Sequence, residues 1–396
     1  MMPRPKTWDN APGFGLLLLA VAGAAAAQTA ALAFLPGMVD AQLATEGPSS
    51  HAVHVSSLSA AYPLGALVLA PFWGWLADRH DYRLILRIAV SVLALAVIPM
   101  GTTSLPALYG LRLVSGIASG AIIPIAMLGG AHCGDDMLQQ SRRLTWLTAF
   151  MFLGDLVGPL FAEWSSKASP SLPFAGIGVA IAAITILLWS SRLPSPCPKA
   201  QKAVLANRPP RLTTSYLLGI TIVGGGALSA LHVVLLVANL PFAHDRATIA
   251  GMLSLCGFGM LAAQLFYTRV TWLVAAPRAF AMLAATALGT MLLLFPFAAN
   301  WPSLAALIAV AGWSAASLRL LASCWISGSV TPSGTRLGLQ HSATAFGQAA
   351  APLLVAGLSP SHPFDVLWIF GLGAVALACA TPLVLPAGSS KNAGLR

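Results

Sequence analysis

Three ionisable side chains, Arg112, Asp155 and Arg319, stand deep within long apolar runs of the chain. A charge at the centre of a bilayer costs about 2.5–3.5 kcal/mol on insertion scales, so such a residue must face protein or water and marks a candidate site. A carboxylate can take up and release a proton, and a guanidinium can fix the local field or hold an anion. At 1.5 Å per helical residue, Arg112 lies about 10 Å and Asp155 about 13 Å from the same end of adjacent runs. The similar depth predicts a direct or water-bridged pair, with Asp155 as proton carrier and Arg112 as its partner. The competing reading is a static ion pair bracing the two runs. Arg319 lies lower, with no acid at its depth in the C-terminal half, and suits either an anionic solute or backbone carbonyls. Gln28, Tyr62, Tyr109, His232, Asn239 and Gln348 are the polar residues that would line a cavity with it, as would Gln264, Gln340 and His341. Each of these equally suits a hydrogen bond between packed helices.

The elements that must hold these residues follow from composition. Of 396 residues only 8% are charged, 21 Lys and Arg against 11 Asp and Glu, while 57% are hydrophobic. A soluble domain carries about 25% charged residues, so this chain cannot cover a water-facing surface. Apolar runs of some 20 residues, long enough to span the bilayer, fall near 13–35, 53–77, 84–103, 105–129, 144–164 and 172–190. Six more lie near 214–237, 246–268, 279–299, 302–328, 337–358 and 365–386. Arg4 and Lys6 followed by Gly13–Val21 and Ala24–Ala27 have the order of a signal peptide, but the apolar sequence continues to Leu35. An uncleaved first helix is therefore expected. The five cysteines (Cys133, Cys197, Cys256, Cys324 and Cys379) are scattered. They read as small core hydrophobes and imply neither a disulfide framework nor a metal site, and no cofactor is expected.

Basic residues set the orientation. With the N-terminus in the cytoplasm, seventeen Lys and Arg fall on the cytoplasmic side, Lys167 and Arg246 fall outside, and Arg112 and Arg319 lie within spans. Both termini are thus expected in the cytoplasm. The net charge of +10 is explained by topology, and no nucleic-acid partner is needed. Ser191–Thr213 is the one long polar stretch, with five prolines and five basic residues. It predicts two six-helix bundles, 1–190 and 214–396, joined by a linker over 191–213. Two short matches suggest duplication: Gly154–Leu160 with Gly347–Leu353, and Pro106 and Gly116 with Pro302 and Gly312. Paired six-span repeats are a plan for alternating access.

Between spans two and three runs Gly74-Trp-Leu-Ala-Asp78-Arg79-His-Asp-Tyr-Arg83. Gly74 permits close helix approach, and Asp78 can accept from a neighbouring helix N-terminus. Arg79 and Arg83 can pair with Asp135 and Asp136 at the end of span four. The segment resembles the signature loop of the major facilitator superfamily, with Asp81 and Tyr82 replacing a usual Gly and Arg. The resemblance implies an all-α membrane protein of twelve transmembrane helices in two six-helix repeats. It further implies that Gly74, Asp78, Arg79, Arg83, Asp135 and Asp136 latch an outward-open state. Arg112 with Gly116 and Gly120 is similar to the superfamily's span-four motif, whose arginine is associated with proton coupling. Gly154, Gly158 and Pro159 resemble the span-five motif of its drug:proton antiporters, and predict a kinked helix packed closely at the interface between halves. This chain has Ala162 and Glu163 where that motif continues to a further Gly pair.

The reading is a secondary transporter, working as a monomer, that exports a small organic solute in exchange for protons. Its alternative is proton-coupled uptake of a metabolite or organic anion. A membrane enzyme is disfavoured, because the sequence has neither Gly-x-Ser-x-Gly nor His-Glu-x-x-His and one deep acid only. The absence of N-glycosylation acceptors and the short loops suit a bacterial inner membrane.

Overall fold

The structure is a computed structural model that describes residues 13–43, 48–132, 137–169, 171–191, 193, 211–238, 245–267, 276–327, 333–358 and 362–385. Twelve long α-helices run through them: α1 Phe14–Gln42, α2 Pro48–Arg79, α3 Tyr82–Val97, α4 Leu105–His132, α5 Met137–Ser166, α6 Leu172–Ser190. The second set is α7 Arg211–Val237, α8 Arg246–Tyr267, α9 Pro277–Leu294, α10 Trp301–Ser327, α11 Gly334–Leu358 and α12 Asp365–Val384. Eleven are long and apolar enough to cross a bilayer. The exception, α11, is long enough at 25 residues but carries Gln340, His341, Ser342, Thr344 and Gln348. All five are turned inward, and four are nine-tenths or more buried. Large apolar side chains instead cover the outside, among them Val68, Leu95, Ile186, Leu283 and Leu383, all more than two-thirds exposed. Such a surface suits hydrocarbon and not water.

The join between α3 and α4 is tight for a covalent reason. Pro99 has no N–H to continue the helix, so α3 gives way to a 3₁₀ turn at Ile98–Thr102 before α4 begins. Pro296 does the same at the matching place in the second half, in the turn Phe295–Phe297 between α9 and α10.

Lipid offers little hydrophobic drive between helices, so packing depends on close backbone approach at small residues. In the first half, Gly116 and Gly120 of α4 lie on α2, where a Cβ would strike the Tyr62 carbonyl or meet Ala66 Cα at 3.0 Å. Gly154 and Gly158 of α5 lie on the Ala22 and Ala26 carbonyls of α1. The second half repeats both contacts: Gly312 of α10 lies on Cys256 of α8, and Gly347 of α11 on Ile222 of α7. The short sequence matches thus coincide with equivalent packing sites. Span five lies at the interface between halves: its glycines pack within their own half, and Asp155–Leu156 face α8, where Gly257 approaches their backbone.

The two sets meet along two seams, α2 against α11 and α5 against α8. Asp135, Asp136 and Asn239 lie outside the described residues, as do 194–210 of the expected linker and Arg4, Lys6, Arg192, Lys199, Lys202, Arg208, Arg269, Lys391 and Arg396.

A Gly116→Leu substitution is expected to destabilise the protein by about 1–3 kcal/mol through overpacking. Gly110→Ala on the same helix has nothing within 4 Å of the new Cβ and should leave stability within about 0.5 kcal/mol. Thermal unfolding of the purified variants checks the pair.

Candidate functional site

Between the seams lies a cavity of about 80 Å³, room for a handful of waters. Helices from both halves wall it. Gln28 and Thr29 come from α1, Ser59 from α2, and Phe152 and Asp155 from α5. Thr221, Ser229 and His232 come from α7, Arg319 from α10, and Thr344 and Gln348 from α11. Local sequence explains how the charges arrive there. Gly154 and Gly158 fix one face of α5 against α1, and Asp155, one residue further round the helix, is rotated about 100° toward the cavity. On α10, Ala315 and Ala316 leave the space into which Arg319 reaches.

Asp155 and Arg319 therefore enter one cavity from opposite halves. Among the described residues neither makes a hydrogen bond or an ion pair within 4.0 Å. Neither side chain has a polar atom sealed from the cavity and left without a partner. His232 Nε2, by contrast, is buried with no partner.

The expected Arg112–Asp155 pair does not form. Although the two residues lie at similar depth, α5 packs chiefly on α1 and only lightly on α4, and Arg112 is turned to α1 and α2. Arg112 is 1% exposed and sits outside the cavity. Its Nη1 donates to Gln28 Oε1 at 2.9 Å and its Nε to the Leu58 carbonyl at 3.4 Å. Its guanidinium carbon lies 5.4 Å from the Tyr62 ring centre, and the Tyr62 hydroxyl donates to Ser119 at 2.5 Å. Arg112 thus fixes the orientation of Gln28, which does line the cavity. Of the expected lining residues, Gln28, His232, Arg319 and Gln348 stand there, whereas Tyr62 does not. Tyr109 is also elsewhere, with its hydroxyl 3.2 Å from His54 Nδ1. Sequence reasoning passed over Ser59, Thr221, Ser229 and Thr344, which resemble any other small polar residue in an apolar helix.

A second, smaller void of about 10 Å³ lies between Arg319 and His341, bounded by Pro124, Met127, Ser323 and Gln340. Gln340 Nε2 donates to Ser323 Oγ at 2.7 Å. Both ring nitrogens of His341 are buried without partners.

The halves are clasped at each end of the cavity. At one end the Asp78 carboxylate caps α11. Its Oδ1 accepts from the Gly334 amide at 2.7 Å, and its Oδ2 accepts from Ser333 Oγ, the Thr335 amide and Thr335 Oγ1 at 2.9, 3.0 and 2.7 Å. An acid at a helix N-terminus satisfies orphan amides and meets the positive end of the dipole. Gly74 and Gly334 pack backbone to backbone beside it, and Ser342 Oγ donates to the Leu67 carbonyl at 2.7 Å. Arg79 and Arg83 do not cross the seam. Arg79 lies 4.2 Å from the Trp75 ring centre, and Arg83 Nε is 3.6 Å from Asp81. Asp81 itself caps α3 by accepting from the Arg83 amide at 3.0 Å, which gives the departure from the signature loop a local use. The donor side of the clasp, Ser333-Gly334-Thr335, was missed in sequence, although Ser and Thr at a helix start are a capping signal.

At the opposite end Arg246, at the start of α8, lies over the Phe34 ring at 5.5 Å. Its guanidinium fills the place where a Cβ on Gly37 of α1 would stand. Phe34 is backed by the edge of Phe174 at 6.0 Å.

A membrane bundle of paired six-helix repeats, clasped at both ends over a charged central cavity, is the architecture of a secondary transporter. The profile of the Major Facilitator Superfamily matches residues 17–270, more than half of the chain, and the protein belongs to that superfamily. A protein of Mycobacteroides abscessus (strain ATCC 19977) called a triacylglyceride transporter is 32% identical over 143 residues, 34% of this chain. The match spans only 27% of that relative's length. Among solved structures, the human organic anion transporter MFSD10 superposes with a TM-score of 0.73 at 17% identity, covering 94% of this chain and 98% of the other. A D-xylose-proton symporter gives 0.70 at 15% identity, covering 95% and 98%. These likenesses establish the fold. The chain is a transporter and not an enzyme.

Removing the Arg246 contact, worth about 0.5–1 kcal/mol at an exposed cation–π site, should raise the open population at that end by about two- to fivefold. Thiol labelling of Ser229→Cys in a cysteine-free background, with and without Arg246→Ala, measures this. Asp78→Ala removes all four bonds at the other clasp, and labelling of Thr344→Cys from that end should rise at least tenfold.

Proposed function

We propose that this transporter exports a small organic solute in exchange for protons, by alternating access about the central cavity. One observation supports it above the rest: Asp155 and Arg319 enter the same cavity from opposite halves without pairing. A carboxylate in that position can hold either a proton or the positive end of a solute, but not both. Competition for one carboxylate is the physical basis of exchange. On the cytoplasmic side the solute displaces the proton; on the outer side a proton displaces the solute. Arg319, carried by the other half, changes its relation to Asp155 as the halves rock and so biases which occupant is held.

In this reading the chain consists of bundles 1–190 and 214–396 joined by 191–213, with both termini cytoplasmic in a bacterial inner membrane. Gly74, Asp78, Arg79 and Arg83, with Asp135 and Asp136, form the cytoplasmic latch. Asp78 is the bond-making member, and the two arginines stiffen the loop around it. Arg112 keeps a role in coupling through Gln28, as a positioning residue and not as the partner of Asp155. Gly116, Gly120, Gly154, Gly158 and Pro159 let the helices of the first half move as one body.

The second reading, proton-coupled uptake of an organic anion, is favoured by Arg319 alone. It would have the solute and the proton travel together.

Asp155→Asn should abolish accumulation driven by a pH gradient in reconstituted vesicles, weaken solute counterflow, and make the counterflow that remains independent of pH. Retention of gradient-driven transport, or residual counterflow that still varies with pH as in wild type, would remove Asp155 from the proton step.

A further inference from the structure

We propose that the central cavity takes a small zwitterion, with a cationic group set against Asp155 and an anionic group set against Arg319. The inference rests on the exchange reading of Asp155 and names the class of solute that the same site would accept.

One carboxylate and one guanidinium face the same void, and among the described residues each lacks a hydrogen-bond or ion-pair partner. Arg112, the buried cation outside the cavity, is held by protein: Gln28 and a carbonyl take two of its donors, and an aromatic face covers it. No such partners are supplied to Arg319 or Asp155. Both charges face the same narrow cavity, so a ligand that neutralises both gains more than one that neutralises either. A solute carrying only a cation would leave Arg319 bare, and one carrying only an anion would leave Asp155 bare.

The placement on opposite halves adds a mechanical consequence. A molecule with both charges touches α5 in one half and α10 in the other, and so draws the halves together around itself. A singly charged solute engages one half only. Size points the same way, since about 80 Å³ admits a compact solute of a few heavy atoms and not a long acyl chain. The remaining walls are small neutral groups such as Ser59, Thr221 and Gln348.

The test is binding to the purified full-length protein in detergent, by isothermal titration, with no proton gradient present. The probes are glycine betaine, β-alanine and γ-aminobutyrate as zwitterions of increasing charge separation, with choline and ethylamine as cations and acetate and propionate as anions. At least one zwitterion should bind at least tenfold more tightly than every cation and anion. Asp155→Asn should cost the zwitterion at least tenfold while sparing propionate, and Arg319→Gln should cost it as much while sparing ethylamine. Arg319→Lys, which keeps the charge, should restore most of the affinity. The proposal is overturned if a singly charged probe binds as well as the best zwitterion, or if no zwitterion binds. Because these comparisons stand on the wild-type protein alone, a variant that fails to fold does not decide them. If a zwitterion binds as expected but vesicles show no transport driven by a pH gradient, the exchange reading fails and the solute class stands.

Discussion

No charge in this protein can rest against hydrocarbon, and that constraint organises the rest of the molecule. It sends most of the basic residues to helix ends and leaves the spans with Arg112, Asp155 and Arg319. Each of these must then be given protein or a cavity to face. Arg112 is given protein: Gln28, a carbonyl and the Tyr62 ring enclose it within the first half. Asp155 and Arg319 are given a cavity, and because they belong to different halves, that cavity lies on the moving interface.

Close helix approach makes the interface possible. Within each half, glycines of α4, α5, α10 and α11 rest on carbonyls of neighbouring helices, which allows six helices to pack without large apolar knobs between them. Between the halves the same device recurs at one end, where Gly74 meets Gly334, but there a carboxylate adds direction. Four bonds from Asp78 to the first turn of α11 exist only when α2 and α11 lie together. A contact of that kind is made or lost as a unit, as a two-state gate requires. At the opposite end the arrangement is weaker, an arginine laid over a phenylalanine and a glycine. The unequal clasps imply that the Arg246 end opens at lower cost.

Much of this was legible in the sequence, for reasons that particular residues show. Span number, the buried charges and the glycine stripes are read from one helix at a time, and periodicity and hydropathy report on single helices. The pairing of those helices is another matter. Arg112 and Asp155 share a depth, which spacing gives, but Arg112 turns to α1 and α2 while Asp155 faces the cavity, which spacing cannot give. Arg319 lacked an acid in its own half, and its counter-charge lies across the interface, where no linear pattern reaches. The span-five glycines mark a close helix contact without naming the partner; they grip α1 and leave Asp155 to face the cavity. The Ser333-Gly334-Thr335 donor segment of the clasp sits 255 residues and more from Asp78. Its capping composition marked a helix start without naming the acid that fills it.

The central claim is that the Asp155 carboxyl itself takes up and releases the proton. The most direct measurement is infrared difference spectroscopy of the purified protein across a pH titration, following the carbonyl stretch of protonated carboxyl groups. The account predicts a titrating carboxyl band in the wild-type protein that is missing from Asp155→Asn. The same band, unchanged in the variant, would contradict it.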